Sequence, residues 1–127
     1  MKQDMCSCRS SKTYATCCQP FHQSAMFPET AEQLMRSRYC AYARKLLNYL
    51  IETHHPVYFD PSSMQGIQET FSLCQWTGLT ILSKDKGTSK DTSGTVEFQA
   101  DYIESGKSFS MTEKSSFEKL DGRWMYV

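Results

Sequence analysis

Four of the chain's six cysteines fall between Cys6 and Cys18, in the run Cys-Ser-Cys-Arg-Ser-Ser-Lys-Thr-Tyr-Ala-Thr-Cys-Cys. Thiolates are soft donors, and two pairs of them with eight residues between close a loop around one tetrahedral ion. Zinc on Cys6, Cys8, Cys17 and Cys18 is the chemistry this spacing predicts, with His22 as a substitute if adjacent Cys17 and Cys18 do not both reach. With every position filled by protein, no water is left on the metal to be activated, so such a zinc is structural. The competing reading is four reduced thiols in an unmetallated arm. A redox pair of Cys17 and Cys18 is the weakest reading, because neighbouring residues close a disulfide only through a strained ring.

What must position these cysteines is meagre. Residues 1–27 hold few aliphatic side chains and several Ser and Thr, and build no core unaided. A metal would staple them, since in small knuckles the binding free energy, on the order of 10 kcal/mol or more, is largely folding free energy. The sequence therefore divides into a knuckle over 1–27 and a main domain over 28–127. In the main domain Thr30 and Gln33 make a capping box, and Ala31, Leu34, Met35, Arg38, Tyr42, Leu46 and Leu50 recur at three- and four-residue spacing. This predicts one helix of about six turns, ending near Thr53 because Pro56 disfavours helical geometry at His55. Asp60-Pro61-Ser62-Ser63 starts a second helix, from about Ser63 to Leu73.

From Trp76 the period changes to two. A strand begins around Leu79 to Leu82, and Lys84 to Gly94 reads as a mobile hairpin loop. Val96, Phe98, Ala100 and Tyr102 mark the core face of a second strand, and Phe109, Met111, Glu113, Ser115 and Phe117 that of a third. Asp121-Gly122 then turns into Arg123 to Val127. The fold class is α+β: two helices packed on one face of a curved antiparallel sheet of about four strands.

Arg38 on the apolar stripe of its helix and Glu113 on the inward face of its strand are charges directed at a core. They must pair or line one polar cavity. Cys40 and Cys74 read as isolated, packed small hydrophobes. His54 and His55 suit the negative end of the first helix, and Arg36, Arg44 and Lys45 give that helix an exposed basic face.

Composition narrows the classes. Fourteen basic and fourteen acidic residues cancel, so no overall field gathers nucleic acid or an anionic membrane. No apolar run approaches the roughly eighteen residues of a membrane span, and Met1-Lys2-Gln3-Asp4 is not the start of an apolar signal. A cytoplasmic setting is expected, where clustered cysteines bind metal in preference to forming disulfides.

The run Cys6-x-Cys8-x-Ser10-x-Lys12-x-Tyr14-x-x-Cys17-Cys18 resembles the SEC-C zinc motif. Together with Leu34-Met35-Arg36-Ser37-Arg38-Tyr39, Thr53-His54-His55-Pro56, Trp76-x-Gly78-Leu79-x-Ile81-Leu82, Val96-Glu97-Phe98 and Gly122-Arg123-Trp124-x-Tyr126, it makes nearly the whole chain similar to the bacterial YchJ family. That resemblance implies a SEC-C segment followed by a domain like nuclear transport factor 2, also described as cystatin-like. A cone of this kind often encloses a pocket between sheet and helices, whose walls Tyr42, Tyr102 and Trp124 would furnish beside Arg38 and Glu113. The family's knuckle typically reads Cys-Pro-Cys-Gly-Ser-Gly-Lys, whereas Ser7, Arg9 and Ser11 stand here at the Pro and Gly positions. Many relatives carry a second SEC-C segment after the last strand, and this sequence ends at Val127.

Two functions of different class remain, and neither is decided by the fold. The preferred one is a non-catalytic zinc-binding adaptor of the bacterial cytoplasm, contacting a protein partner or collecting a small ligand. The alternative is an enzyme using the cone cavity for general acid/base chemistry, with Glu113 as base and Tyr42 or Tyr102 as proton donor. Nucleic-acid binding through Arg9, Lys12 and the basic helix face ranks third, and an open sheet edge would support a homodimer.

Overall fold

Residues 4–127 are described by a computed structural model. The polar end Met1 to Gln3 lies outside the described residues. In the N-terminal arm, Met5 bridges Thr13 in a small antiparallel loop closed by the Cys6 amide on the Lys12 carbonyl at 2.9 Å. A 3-10 turn at Tyr14–Thr16 and a short helix α1, Gln19–His22, with Pro20 in its first turn, complete it.

Helix α2, Ala31–Arg44, begins at the capping box: the Gln33 amide donates to the Thr30 hydroxyl at 3.1 Å. The Gln33 side chain reaches back past the cap residue, accepting from the Glu29 amide at 2.7 Å. The single long helix expected from the apolar stripe is interrupted. Lys45 takes the left-handed conformation, φ 62°, and the Leu46 amide turns back to the Ala41 carbonyl at 2.8 Å. This is a left-handed helix stop of the kind glycine usually supplies. After it, α3, Leu47–Glu52, folds beside α2, and α4 occupies Ser63–Leu73.

The sheet is an antiparallel meander in the order β1-β2-β3-β4, with β1 Gln75–Lys86, β2 Ser93–Glu104, β3 Lys107–Leu120 and β4 Arg123–Tyr126. Among the described residues, four helices, two more than expected, and a four-stranded antiparallel sheet with α2 packed on it make the α+β class that the change of period predicts. The loop between the first two strands is shorter than Lys84 to Gly94, because pairing persists to Lys86 and Gly94. There the Gly87 carbonyl accepts from the Ala31 amide at 2.9 Å, and a side chain on Gly87 would stand 2.7 Å from Cβ of Ala31. The hairpin end is thus pressed onto the start of α2.

The register sets the inner face. Val96, Phe98, Ala100 and Tyr102 of β2 stand opposite Ser115, Glu113, Met111 and Phe109 of β3. Leu34, Met35, Arg38 and Tyr39 of α2 are buried over them, and the Tyr39 hydroxyl donates to the Gly78 carbonyl at 3.1 Å. The far edge of β4 is held by residues 53–55: the Tyr126 amide donates to the Thr53 carbonyl at 2.8 Å, and the His55 amide to the Tyr126 carbonyl at 2.7 Å. Cys6, Cys8 and Cys18 belong to the same buried cluster as Leu34, Tyr39, Phe117 and Trp124, so the knuckle and the cone share one core.

Candidate metal centre and cone cavity

The small loop and α1 bring the four knuckle thiols together. The sulfurs of Cys6, Cys8, Cys17 and Cys18 all lie within 4.8 Å of one another. Zinc with four sulfurs at about 2.3 Å requires them about 3.8 Å apart along the edges of a tetrahedron. Cys8 to Cys17 is 3.6 Å and Cys17 to Cys18 is 3.9 Å. The donor set therefore fits zinc in kind and in spacing, and among the described residues it is a cluster compatible with metal binding.

The thiols do not ionise together unaided. Contacts with Cys18 draw Cys6 down to about 6, and Cys40 down to about 3. Cys18, wedged among Cys40, Cys6 and Cys8, is pushed upward, and burial holds Cys17 at about 11. Mutual repulsion keeps protons on part of the cluster, and a dication removes that obstacle.

Cys40 is the residue the sequence does not connect to this site. Rather than an isolated hydrophobe, it is a fifth thiol, fully buried, with its sulfur 3.7 Å from that of Cys6. It comes from α2, and its neighbours explain why. Arg36 donates to the Cys8 carbonyl at 2.8 Å, Ser37 offers its carbonyl to His22 at 2.8 Å, and Arg44 grips Asp4 at 3.1 Å with its guanidinium 3.5 Å over the Tyr14 ring. Residues 36, 37, 40 and 44 share one helical face. The face expected to be exposed and basic is instead the docking face for the knuckle, and only Lys45 of that set is exposed.

His22 is not a reserve ligand. Its Nε2–H donates to the Ser37 carbonyl at 2.8 Å, and Nδ1 accepts from the Tyr14 hydroxyl at 2.6 Å, so both ring nitrogens are engaged. Burial lowers its pKa from the ordinary 6.5. Below about that pH the unfolded chain binds the proton that the folded chain refuses, so stability falls as pH drops from 6.5 toward 5. Melting midpoints across this window are expected to fall more steeply for the wild type than for His22→Gln. Equal slopes would show that the imidazole is not held neutral.

The departures from the glycine pattern have a visible cost. Arg9 has φ 64° and Ser11 φ 70°, the left-handed region where side chains are strained. Arg9 is anchored by a hydrogen bond from its guanidinium to the Thr77 carbonyl of β1, whereas the exposed Ser11 side chain makes none among the described residues. Ser11→Gly is expected to stabilise the protein by about 0.5–1 kcal/mol, the relief of left-handed strain less the added freedom of the unfolded chain. Urea unfolding checks this.

Between α2 and the sheet lies a half-open cavity of about 250 Å³ whose walls include Arg38, Tyr42, Trp76, Glu113 and Tyr126. Arg38 and Glu113 do line one cavity, but they form no ion pair. Arg38 Nη1 donates to the Leu50 carbonyl at 2.8 Å and to Thr53 Oγ1 at 2.7 Å, and Glu113 accepts from the Ser115 hydroxyl at 2.6 Å. Burial lowers the Arg38 pKa and raises that of Tyr42. Two expected wall residues stand elsewhere. Tyr102 packs at the far end of β2, with ring centroids 5.2 Å from Trp76 and 5.5 Å from Phe109. Trp124 lies at the opposite end, buried, its indole N–H on the Glu29 carbonyl at 3.0 Å. Each shares the inner face, but strand length carries them past the cavity. Trp76 and Tyr126 take those places in the wall.

A four-thiol knuckle docked on a cone of helices and a curved sheet defines the class: a SEC-C protein with a nuclear transport factor 2-like fold. The comparisons agree. The family model described as "YchJ, middle NTF2-like domain" matches residues 30–127. A UPF0225 protein of Actinobacillus succinogenes is 42% identical over 97% of this chain and 79% of its own length, and one from Streptomyces coelicolor is 39% identical over 96% and 91%. The solution structure of a SEC-C motif-containing protein from Rhodopseudomonas palustris superposes with a TM-score of 0.84 at 35% identity, covering 96% of this chain and 94% of that one. A SEC-C motif-containing protein from Psychrobacter arcticus shares the fold at TM-score 0.81 and 22% identity, over 100% and 81%. The chain belongs to the YchJ family. No helix among the described residues is long and apolar enough to cross a membrane.

Proposed function

We propose that this chain is a zinc-binding adaptor of the bacterial cytoplasm, in which a structural zinc on Cys6, Cys8, Cys17 and Cys18 locks the N-terminal arm to α2 and the assembled surface meets a protein partner or a small ligand. The observation that carries the reading is the closure of the thiol cluster: four sulfurs within 4.8 Å leave no coordination position for a substrate, and three of the four cysteines are buried. The chemistry of the site is then used for cross-linking. The test is capture from soluble bacterial extract by the full zinc-loaded chain, with Cys8→Ser as the comparison. A stoichiometric partner held by the loaded chain and lost by the variant is expected; a bait that captures nothing, or captures equally after metal loss, overturns the protein-partner reading.

A second reading, an enzyme using Glu113 as base and Tyr42 as proton donor, is favoured by the unpaired state of Arg38 and Glu113 in one cavity. Tyr102, outside that cavity, drops from the role. Nucleic-acid binding has less support, because Arg9, Arg36 and Arg44 direct their guanidinium groups to Thr77, to Glu32 and Cys8, and to Asp4.

A further inference from the structure

Arg38 is a buried cation without an ion-pair partner among the described residues. It is 7% exposed, its Nη1 is used by Leu50 and Thr53, and its guanidinium lies 4.6 Å over the Tyr126 ring. Among the described residues Nε and Nη2 meet no acceptor. Arg38 lines the half-open cavity, and with Nη1 committed to Leu50 and Thr53 the other edge of its guanidinium fork is the one left for a guest there. A planar fork of N–H donors matches a carboxylate in two parallel hydrogen bonds.

Glu113 does not meet this need. Its carboxylate is bonded to Ser115 and it is only partly buried, so its charge is felt at Arg38 across the cavity without a hydrogen bond between them. It does offer an acceptor elsewhere on the same wall. The hydroxyl of Tyr42 has no partner among the described residues, and Trp76 presents its ring to the same space with its indole N–H closed off from it. Between these polar groups the walls are aromatic and apolar, among them Phe98 and Met111. Volume limits the guest. An apolar cavity of about 150 Å³ takes a benzene ring, so about 250 Å³ takes one ring with two short polar substituents.

We propose that the cone cavity binds a monocyclic aromatic carboxylate bearing a ring hydroxyl, with the carboxylate on the free edge of Arg38, the ring against Tyr42, Trp76 and Phe98, and the hydroxyl on Glu113. This rests on the reading of the protein as a recognition module, and it uses no property of the metal. The experiment is calorimetric titration of the full zinc-loaded chain with 3- and 4-hydroxybenzoate, each against its neutral carboxamide. One-to-one binding of at least one isomer is expected with a Kd of about 1 mM or tighter, and at least about tenfold weaker binding of the amide, which loses the charge-assisted pair. Met111→Trp, which fills the cavity without removing a core hydrogen bond, is expected to abolish binding with zinc content and melting midpoint unchanged. Arg38 variants are avoided because they also unlatch α3.

Absence of saturable binding by both isomers, amides that bind as well as the acids, or a Met111→Trp chain that binds as before would overturn the proposal and leave a hydrated cavity. Zinc content and partner capture are measured on the same samples. Ligand binding that fails with capture intact defeats this inference alone, and capture that fails with ligand binding intact defeats the protein-partner reading alone.

Discussion

Cys8→Ser is expected to lose the knuckle metal and at least about 3 kcal/mol of stability. Cys8 is fully buried, its sulfur stands 3.6 Å from that of Cys17, and its carbonyl receives Arg36 at 2.8 Å. Without the metal the arm retains its bonds to α2 through His22, Arg36 and Arg44, but nothing cross-links Cys6 and Cys8 to Cys17 and Cys18. The loss reaches the cone because these cysteines share one core with Leu34 and Trp124. Zinc content and urea unfolding followed by tryptophan fluorescence measure both effects. Cys40→Ser is the matched control. It removes a buried sulfur 3.7 Å from Cys6 yet leaves four knuckle donors, so a full equivalent of zinc is expected to remain. Loss of zinc in that variant would make Cys40 a ligand in place of a knuckle cysteine.

Arg38→Met is the second large effect, about 2–3 kcal/mol. Methionine replaces the apolar stem of the arginine but none of its donors. Leu50 is 1% exposed, so its carbonyl loses the Nη1 bond without gaining water. Thr53 is less affected, because its hydroxyl also donates to the Tyr49 carbonyl at 2.7 Å. The bond to Leu50 depends on the helix break. In a continuous helix, residues 38 and 50 would stand about 18 Å apart along the axis; the left-handed turn at Lys45 brings α3 back beside α2. Arg38 is thus the latch across that turn. Denaturant unfolding should show the loss, and a change under about 0.5 kcal/mol would mean that the latch is energetically idle.

The period of the apolar residues carried most of the fold. A stripe at three- and four-residue spacing and the later alternation place α2, α4 and the meander, and the cysteine spacing places the sulfurs, because these are local patterns tied to backbone geometry. The break at Lys45 was not legible, since a lysine in the left-handed region leaves no glycine to announce it. The docking face of α2 was hidden for a different reason. Arg36, Ser37, Cys40 and Arg44 look like a solvated polar face until something polar covers them, and the covering arm has no apolar pattern by which to be matched. The helical phase linking Cys40 to Arg36 and Arg44 was the available signal. In the cavity, alternation marks the inner face of a strand but not the depth along it, so nothing in the sequence tells the walls that the resemblance implies, Tyr102 and Trp124, from those that Trp76 and Tyr126 form.

The central claim is that four knuckle sulfurs hold a structural zinc which fastens the arm to the cone. X-ray absorption at the zinc edge, on protein purified without chelator, tests it most directly. One zinc per chain in a shell of four sulfurs at about 2.3 Å is the predicted result. Substoichiometric zinc in protein with reduced thiols, or a shell containing nitrogen or oxygen, would contradict it.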